Sequence, residues 1–320
     1  MKRKLLSVVL ALSVAAALFT GCNGSDSTSD ESVAVDEAED SLYPMNYTDA
    51  YGNEVVIEEE PQTVVSVSPA LTEIVFALGG EDKLVGRSDY DDYPDEALEI
   101  TSVGPIDLPD TELIVSLDPD VVIASSIFSE EAYNALTDAG ITVAIVKDES
   151  DIEGMFTCVQ TVADIIGLHD EGEALTAELS EELAAIEEEA NSVEGDITVY
   201  YCMGYGEYGD YTAGANTFIN DMIEAAGCVN AAGDVEGWSY STEQLLAVDP
   251  DIILVPSWGY DAFLVTEPYS ELTAVSTGNV ISVDNNTFER VGPRNIEAIR
   301  TILEAAQNFA SAADTADEAA

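Results

Sequence analysis

Residues 111–126 read TELIVSLDPDVVIASS and residues 242–257 read TEQLLAVDPDIILVPS, nearly the same stretch at an offset of 131 residues. Thr111/Thr242, Glu112/Glu243, the triplet Asp118-Pro119-Asp120 against Asp249-Pro250-Asp251, and Ser126/Ser257 are identical. The spacing is far longer than any solenoid period, so it predicts two large related lobes rather than an array. Each copy reads as a short helix (Glu112–Leu117, Glu243–Val248), a turn opened by the Asp-Pro-Asp triplet, and a strand. The runs Val121-Val122-Ile123 and Ile252-Ile253-Leu254 are continuously apolar, as strands buried on both faces of a parallel sheet must be.

The surrounding chain alternates in the same way. A polar hairpin (NYTDAYGNEVVIEE) leads to expected strands at 63–68, 83–86, 121–124 and 142–146, with helices after Ser68 and over 130–139. The second half repeats this, with strands at 197–202, 252–255 and 280–283 and helices at 215–226 and 295–309. Between the halves Leu175, Leu179, Leu183, Ile186 and Ala190 mark one apolar stripe, and Asp170 with Glu173 reads as a capping box. A helix there would run roughly 35 Å. The expected fold class is α/β: two Rossmann-like lobes with mostly parallel sheets, joined by a single long α-helix. The expected divisions are an N-terminal lobe 45–168, linker helix 169–193, C-terminal lobe 194–310 and an unstructured tail 311–320. So rigid a strut predicts only modest closure of the lobes.

Residues 1–22 read as a signal: MKRK is cationic, a short apolar stretch follows, and Gly21-Cys22 ends it. This resembles the lipobox of bacterial lipoproteins, which makes Cys22 the expected lipidation site, with Phe19 departing from the usual Leu, Val or Ile. Residues 23–44 are Ser- and acid-rich and read as an unstructured tether. The chain carries 64 acidic and 9 basic residues, and three of the nine are Lys2, Arg3 and Lys4. A surface so acidic repels nucleic acid and anionic headgroups. Cys158, Cys202 and Cys228 form no metal-binding spacing; Cys202 and Cys228 are either a disulfide within one lobe or buried thiols. His169 is the only histidine, which excludes both a His-rich metal site and a Ser-His-Asp or Cys-His set elsewhere. No cofactor and no resident metal are expected.

The stretches SPALTE (68–73), VGRSDYDDYP (85–94), the two Glu-containing repeats, WSYSTE (238–243) and FERVGPR (288–294) together resemble the substrate-binding proteins of ABC importers for iron–siderophore complexes, haem and vitamin B12. The likeness spans about residues 45–310 and is greatest to the vitamin B12-binding branch. It implies a helical-backbone (class III) two-lobed binding protein that is not an enzyme. It also implies a permease with its ATPase as partners, a monomer, and an extracytoplasmic location held by the lipid anchor. In that family one surface glutamate per lobe docks onto arginines of the permease; carried over, these are Glu112 and Glu243. The alternative reading of the repeated Thr-Glu pair is helix capping, with Thr at the N-cap and Glu in the first turn. The distant alternative is a two-lobe enzyme using Glu112 and Glu243 as a carboxylate pair; such pairs lie within about 10 Å, and equivalent positions on separate lobes are expected to be much farther apart.

A ligand is expected between the lobes at the C-terminal ends of the strands. Aromatic loops there offer Tyr90, Tyr93 and Phe128 from one lobe and Tyr205, Tyr208, Tyr211, Trp238, Trp258 and Tyr260 from the other, flat walls for a large flat ligand. The resemblance places Trp238 at a corrin-contacting position and Arg290 facing the cleft. In the first lobe VGPID and IASSIF replace the tryptophans of the B12 binder, and Arg87 replaces a small apolar residue. Two arginines suit an anionic ferric siderophore or haem propionates, unless Arg87 pairs with Asp89 or Asp92. A corrinoid leads, with siderophore or haem as the alternative. Finally, Gly204, Gly206 and Gly209 match G-x-G-x-x-G after a strand, but five residues intervene before any helix, so no dinucleotide site is expected.

Overall fold

The computed structural model describes residues 42–193, 195–206 and 209–318. Cys22, the signal, most of the tether and Tyr208 lie outside the described residues. The N-terminal lobe opens with an antiparallel hairpin, β1 (Met45–Thr48) and β2 (Glu54–Ile57), then runs β3 (Val64–Ser66), α1 (Pro69–Ala77), β4 (Leu84–Arg87), α2 (Thr111–Leu117), β5 (Val121–Ala124), α3 (Glu130–Asp138), β6 (Val143–Ile145) and α4 (Ile152–Ile166). The linker is α5 (His169–Ala190). The C-terminal lobe continues with β7 (Thr198–Tyr201), α6 (Phe218–Ala225), β8 (Val229–Asn230), α7 (Thr242–Val248), β9 (Ile252–Pro256), α8 (Tyr260–Phe263), α9 (Thr273–Thr277), β10 (Val280–Val283), α10 (Asn285–Glu289) and α11 (Asn295–Glu318).

The two sheets have one topology. The first is ordered β4-β3-β5-β6 and the second β8-β7-β9-β10, every pair parallel. In each lobe the strands, taken in chain order, therefore lie second-first-third-fourth, and the repeated stretch supplies the third strand. That explains the 131-residue echo. β5 is buried at all four positions and β9 at all five, as the continuous apolar runs require. Most of the Asp-Pro-Asp triplet has a structural task in both lobes. Asp118 and Asp249 cap their helices in the left-handed region (φ 51° and 46°), and Pro119 and Pro250 prevent continuation. Asp120 Oδ2 accepts from the Gln62 and Thr63 backbone N–H groups, each at 2.8 Å, and Asp251 Oδ2 accepts from Thr198 N at 2.8 Å and its hydroxyl at 2.7 Å. The third strand is thereby tied to the start of the first.

Three differences from the sequence expectation have plain causes. Linker helix α5 starts at His169 with Leu168 as an uncapped N-cap, so Asp170 and Glu173 form no capping box. It begins there because Gly167 (φ 81°) ends α4 and the chain turns directly into the next helix. His169 opens α5 as expected, its Nδ1 2.7 Å from Asp164. Helix α11 runs on to Glu318 instead of yielding to a tail at 311, because its Ala-rich end contains no Gly or Pro to stop it. The Thr of each repeated pair is the first helical residue, not the cap: Asp110 caps α2 and Ser241 caps α7, the latter in a capping box with Gln244.

Removing the Asp251 carboxylate leaves the Thr198 N–H and hydroxyl without their acceptor. Asp251→Ala should cost about 2 kcal/mol in urea unfolding, and Asp120→Ala, at a more exposed site, somewhat less; a loss under about 0.5 kcal/mol at Asp251 would show the clamp to be dispensable.

Candidate functional site

The lobes enclose a cavity of about 760 Å³. Its walls come from segments that follow the C-terminal ends of strands in both sheets: Ser68, Ser125 and Val146 lie in loops after β3, β5 and β6, Asn216 and Trp238 in loops after β7 and β8, and Asn286 in α10, which follows β10. Each loop is held by a local device. On the N-terminal side Asp91 is buried and accepts from the Ser88 hydroxyl and the Thr72 hydroxyl, both at 2.7 Å, which folds the SDYDDYP loop over α1. Burial raises the Asp91 pKa, and the Ser88 and Thr72 bonds oppose that rise. The loop presents Tyr90, 58% exposed, to the cavity.

On the C-terminal side Trp238 rides on a segment bonded to the strand-like stretch beneath it: Thr212 N donates to Trp238 O (3.1 Å), Gly214 N to Gly237 O (2.8 Å) and Ala215 N to Val235 O (2.8 Å). A Cβ at position 214 would sit 2.6 Å from Val235 O, so only glycine lets these backbones meet. Trp238 is thereby fixed at its backbone while its side chain stays exposed at the cavity.

Arg290 reaches the cavity from the far side and joins the lobes. Its Nη1 lies 2.7 Å from Glu73 Oε1 and 2.6 Å from Asp92 Oδ1, and Nη2 donates to the Tyr90 carbonyl at 3.2 Å. Arg294 also reaches Glu73, at 3.2 Å, pairs with Asp284 at 2.8 Å, and lies 4.1 Å above the Tyr93 ring. Glu73 is buried on α1; burial raises its pKa against the pull of the two guanidinium groups. Arg294 and Glu73 line a second cavity of about 540 Å³ against α5, so the network stands between the two spaces.

Several expected residues lie elsewhere. Arg87 does not line the cavity, nor does it pair with Asp89 or Asp92: its guanidinium donates to the Ala97 carbonyl (3.0 Å) and the Ser88 carbonyl (2.6 Å), tying its own loop together. Phe128 is core, because the turn after β5 (Phe128 N to Ser125 O, 3.1 Å) rotates it inward; Ile127, 62% exposed, faces the cavity instead, with Ile106. Tyr205 and Trp258 line a separate hollow of about 370 Å³ on the C-terminal lobe with Tyr211, Tyr205 donating to the Gly259 carbonyl at 2.7 Å. Gly204, Gly206 and Gly209 line that same hollow, and the next helix starts only at Phe218. Tyr260 packs into the C-terminal lobe, its hydroxyl on Val280 O. Tyr93 lies under Arg294. Of the expected set, Tyr90, Trp238 and Arg290 are brought together. Glu73, Ile106 and Asn216 were not anticipated, and Asp92 was expected only as a partner for Arg87; the SPALTE motif contains Glu73, but nothing in one sequence says that a helix glutamate meets arginines more than two hundred residues on.

Glu112 and Glu243 are both exposed in the first turns of α2 and α7. Asp110 and Ser241, not Thr111 and Thr242, do the capping, while Glu112 and Glu243 sit in the first turn, where a negative charge complements the positive end of the helix dipole but needs no correspondence between the lobes. Cys158, Cys202 and Cys228 are free and buried, and burial pushes their thiols up to about 12, about 12 and about 11.

A family model for periplasmic binding proteins matches residues 64–287. An uncharacterised ABC transporter substrate-binding lipoprotein of Bacillus subtilis is 32% identical over 309 residues, covering 94% of this chain and 97% of the relative. A cobalamin-binding protein of Halobacterium salinarum is 32% identical over 280 residues, covering 83% and 75%. Among solved structures, the apo form of a periplasmic heme-binding protein from Roseiflexus superposes with a TM-score of 0.71 at 28% identity, covering 78% of this chain and 99% of that one.

The three thiols should be invisible to a disulfide-exchange reagent at pH 8 in the folded protein and should react together on unfolding in urea. Rapid native labelling at any of Cys158, Cys202 or Cys228 would contradict their burial.

Proposed function

The chain belongs to the periplasmic binding protein family, substrate-binding components of ABC importers rather than enzymes, and from that premise we propose that its interlobe cavity captures a corrinoid and delivers it to a membrane permease with its ATPase. The observation that carries this reading is the chemistry of the cavity wall. The aromatic and aliphatic faces of Trp238, Tyr90, Ile106 and Ile127 suit the flat macrocycle, while Ser68, Ser125, Ser150, Asn216 and Thr217 supply neutral donors and acceptors. A corrin carries a fringe of side-chain amides, which such groups match in both hydrogen-bonding senses. The cobalamin-binding relative supports the same reading. A haem or ferric siderophore is the alternative within the family, supported by the heme-binding structural relative and by Tyr90 as a side chain able to reach a ligand's iron.

Delivery needs a docking surface. Glu112 and Glu243 occupy equivalent, exposed first-turn positions in the two lobes and no cap requires them, which supports a paired role in engaging permease arginines. Cys22 is the residue on which a lipid anchor would hold the protein to the outer face of the cell membrane.

The chain has two tryptophans, and only Trp238 lines the interlobe cavity. Titration with cyanocobalamin should quench tryptophan fluorescence saturably, and Trp238→Phe should remove most of that signal and weaken binding about tenfold, whereas Trp258→Phe should keep both. Saturation by haemin alone would transfer the reading to haem. Separately, Glu112→Lys with Glu243→Lys should lower uptake in cells about tenfold or more while the fluorescence titration persists; normal uptake in the double variant would end the docking role.

A further inference from the structure

The cavity holds two cations, and both are already bonded to carboxylates. Lys147 pairs with Glu149 at 3.0 Å, and Arg290 pairs with Glu73 and Asp92. The remaining acids of the lining have neutral partners: Asp148 accepts from the Ser126 hydroxyl, and Glu289 accepts from the Tyr201 hydroxyl at 3.0 Å and the Asn285 amide at 3.3 Å. An incoming anion therefore meets no uncommitted positive group. Beside buried Glu73, Asp92 contributes to this. It lies outside the lining, in the N-terminal lobe, and reaches across to two C-terminal residues: Arg290 Nη1 at 2.6 Å and the Asn286 amide at 3.1 Å. With Glu73 on the same Nη1 and the Tyr90 carbonyl on Nη2, the terminal nitrogens of Arg290 all point at the N-terminal lobe.

We propose that Asp92 is a specificity-determining residue that acts through Arg290: by holding the guanidinium across the lobe boundary it withdraws the cation that would recognise an anionic ligand, so the cavity accepts neutral or cationic forms of a chelate and discriminates against carboxylate-bearing forms of the same scaffold. This rests on the ligand-capture reading above but not on the corrinoid in particular. A ligand carboxylate would be a third negative charge beside Arg290 after Glu73 and Asp92, would compete with Asp92 for a donor already engaged, and would face Asp148 and Glu289 as well. Asp92 is itself half exposed, so its exchange for a neutral side chain leaves no charge stranded in the protein interior.

The test uses two matched probe pairs whose members differ in charge and hardly in shape: cyanocobalamin with its monocarboxylic derivative, and haemin dimethyl ester with haemin. The quantity read is the ratio of affinities, neutral over anionic, within whichever pair binds. In the unaltered protein the ratio should be about fivefold or more. Asp92→Asn keeps an oxygen for Arg290 and Asn286 but loses the charge, and should reduce the ratio at least about threefold at low salt, an effect that fades at about 1 M salt where the Debye length is near 3 Å. Asp92→Ser provides the same reading should the amide refold the loop. Asp89→Asn controls for net charge: Asp89 lies in the same loop but bonds Ser102, and its variant should keep the original ratio. An unchanged ratio in both Asp92 variants, or an equal shift in Asp89→Asn, overturns the proposal alone. If neither pair binds the unaltered protein at all, the ligand reading falls and takes the proposal with it.

Discussion

A buried glutamate held between two arginines joins the halves of this molecule. Glu73 comes from the first helix of one lobe, Arg290 and Arg294 from the loop that opens the last helix of the other, and the contacts span more than two hundred residues of sequence. Removing one member of such a group strands a charge in a poorly solvated place, which typically costs about 3–5 kcal/mol. The ion network is accompanied by apolar packing: Val291 and Leu175 touch the cores of both lobes, and α5 lies against α4 on one side and α11 on the other. The lobes are therefore joined at their rear by the strut and at their middle by the arginine pair, and the cavity opens on the remaining side.

That arrangement explains how loops can serve as a binding wall without being loose. The SDYDDYP loop is pinned by buried Asp91 beneath it and by Arg290 on the Tyr90 carbonyl. The Trp238 segment is pinned by three backbone bonds that glycine at 214 makes possible. Each contact residue is thus fixed through its backbone while its side chain stays open, the condition for a preformed site with little ordering left to do on binding. Among the described residues no buried side-chain nitrogen or oxygen lacks a partner, so little in the framework is left strained or unsatisfied.

The layered architecture was legible because a parallel sheet covered on both faces needs unbroken apolar strands, and those are visible in a single sequence. The duplicated stretch went further and showed that the lobes are copies. What could not be read was the direction of individual side chains beyond a strand end. Ile127 and Phe128 are adjacent and both apolar, yet one turn residue decides which enters the core. Arg87 is spaced like a cleft residue, but two nearby backbone carbonyls claim its guanidinium. Trp258 and Trp238 look alike as exposed aromatic loop residues, and only three dimensions separate their cavities. Long-range pairing is the other blind spot: Asp92 reads at most as a neighbour for Arg87 until the fold sets it beside Arg290.

All six basic side chains of the described residues are spoken for. Lys83 meets Glu60, Arg87 its own loop, Lys147 Glu149, Arg300 Glu189, and Arg290 with Arg294 the lobe junction. Nothing positive remains to balance the exterior, so each lobe is a polyanion facing another polyanion across the cavity mouth. The neutralising charge must come from solvent as a condensed layer of inorganic cations, and that layer becomes in effect a third component of the particle. The arginine pair then does for the inside of the junction what dissolved cations do for its outside.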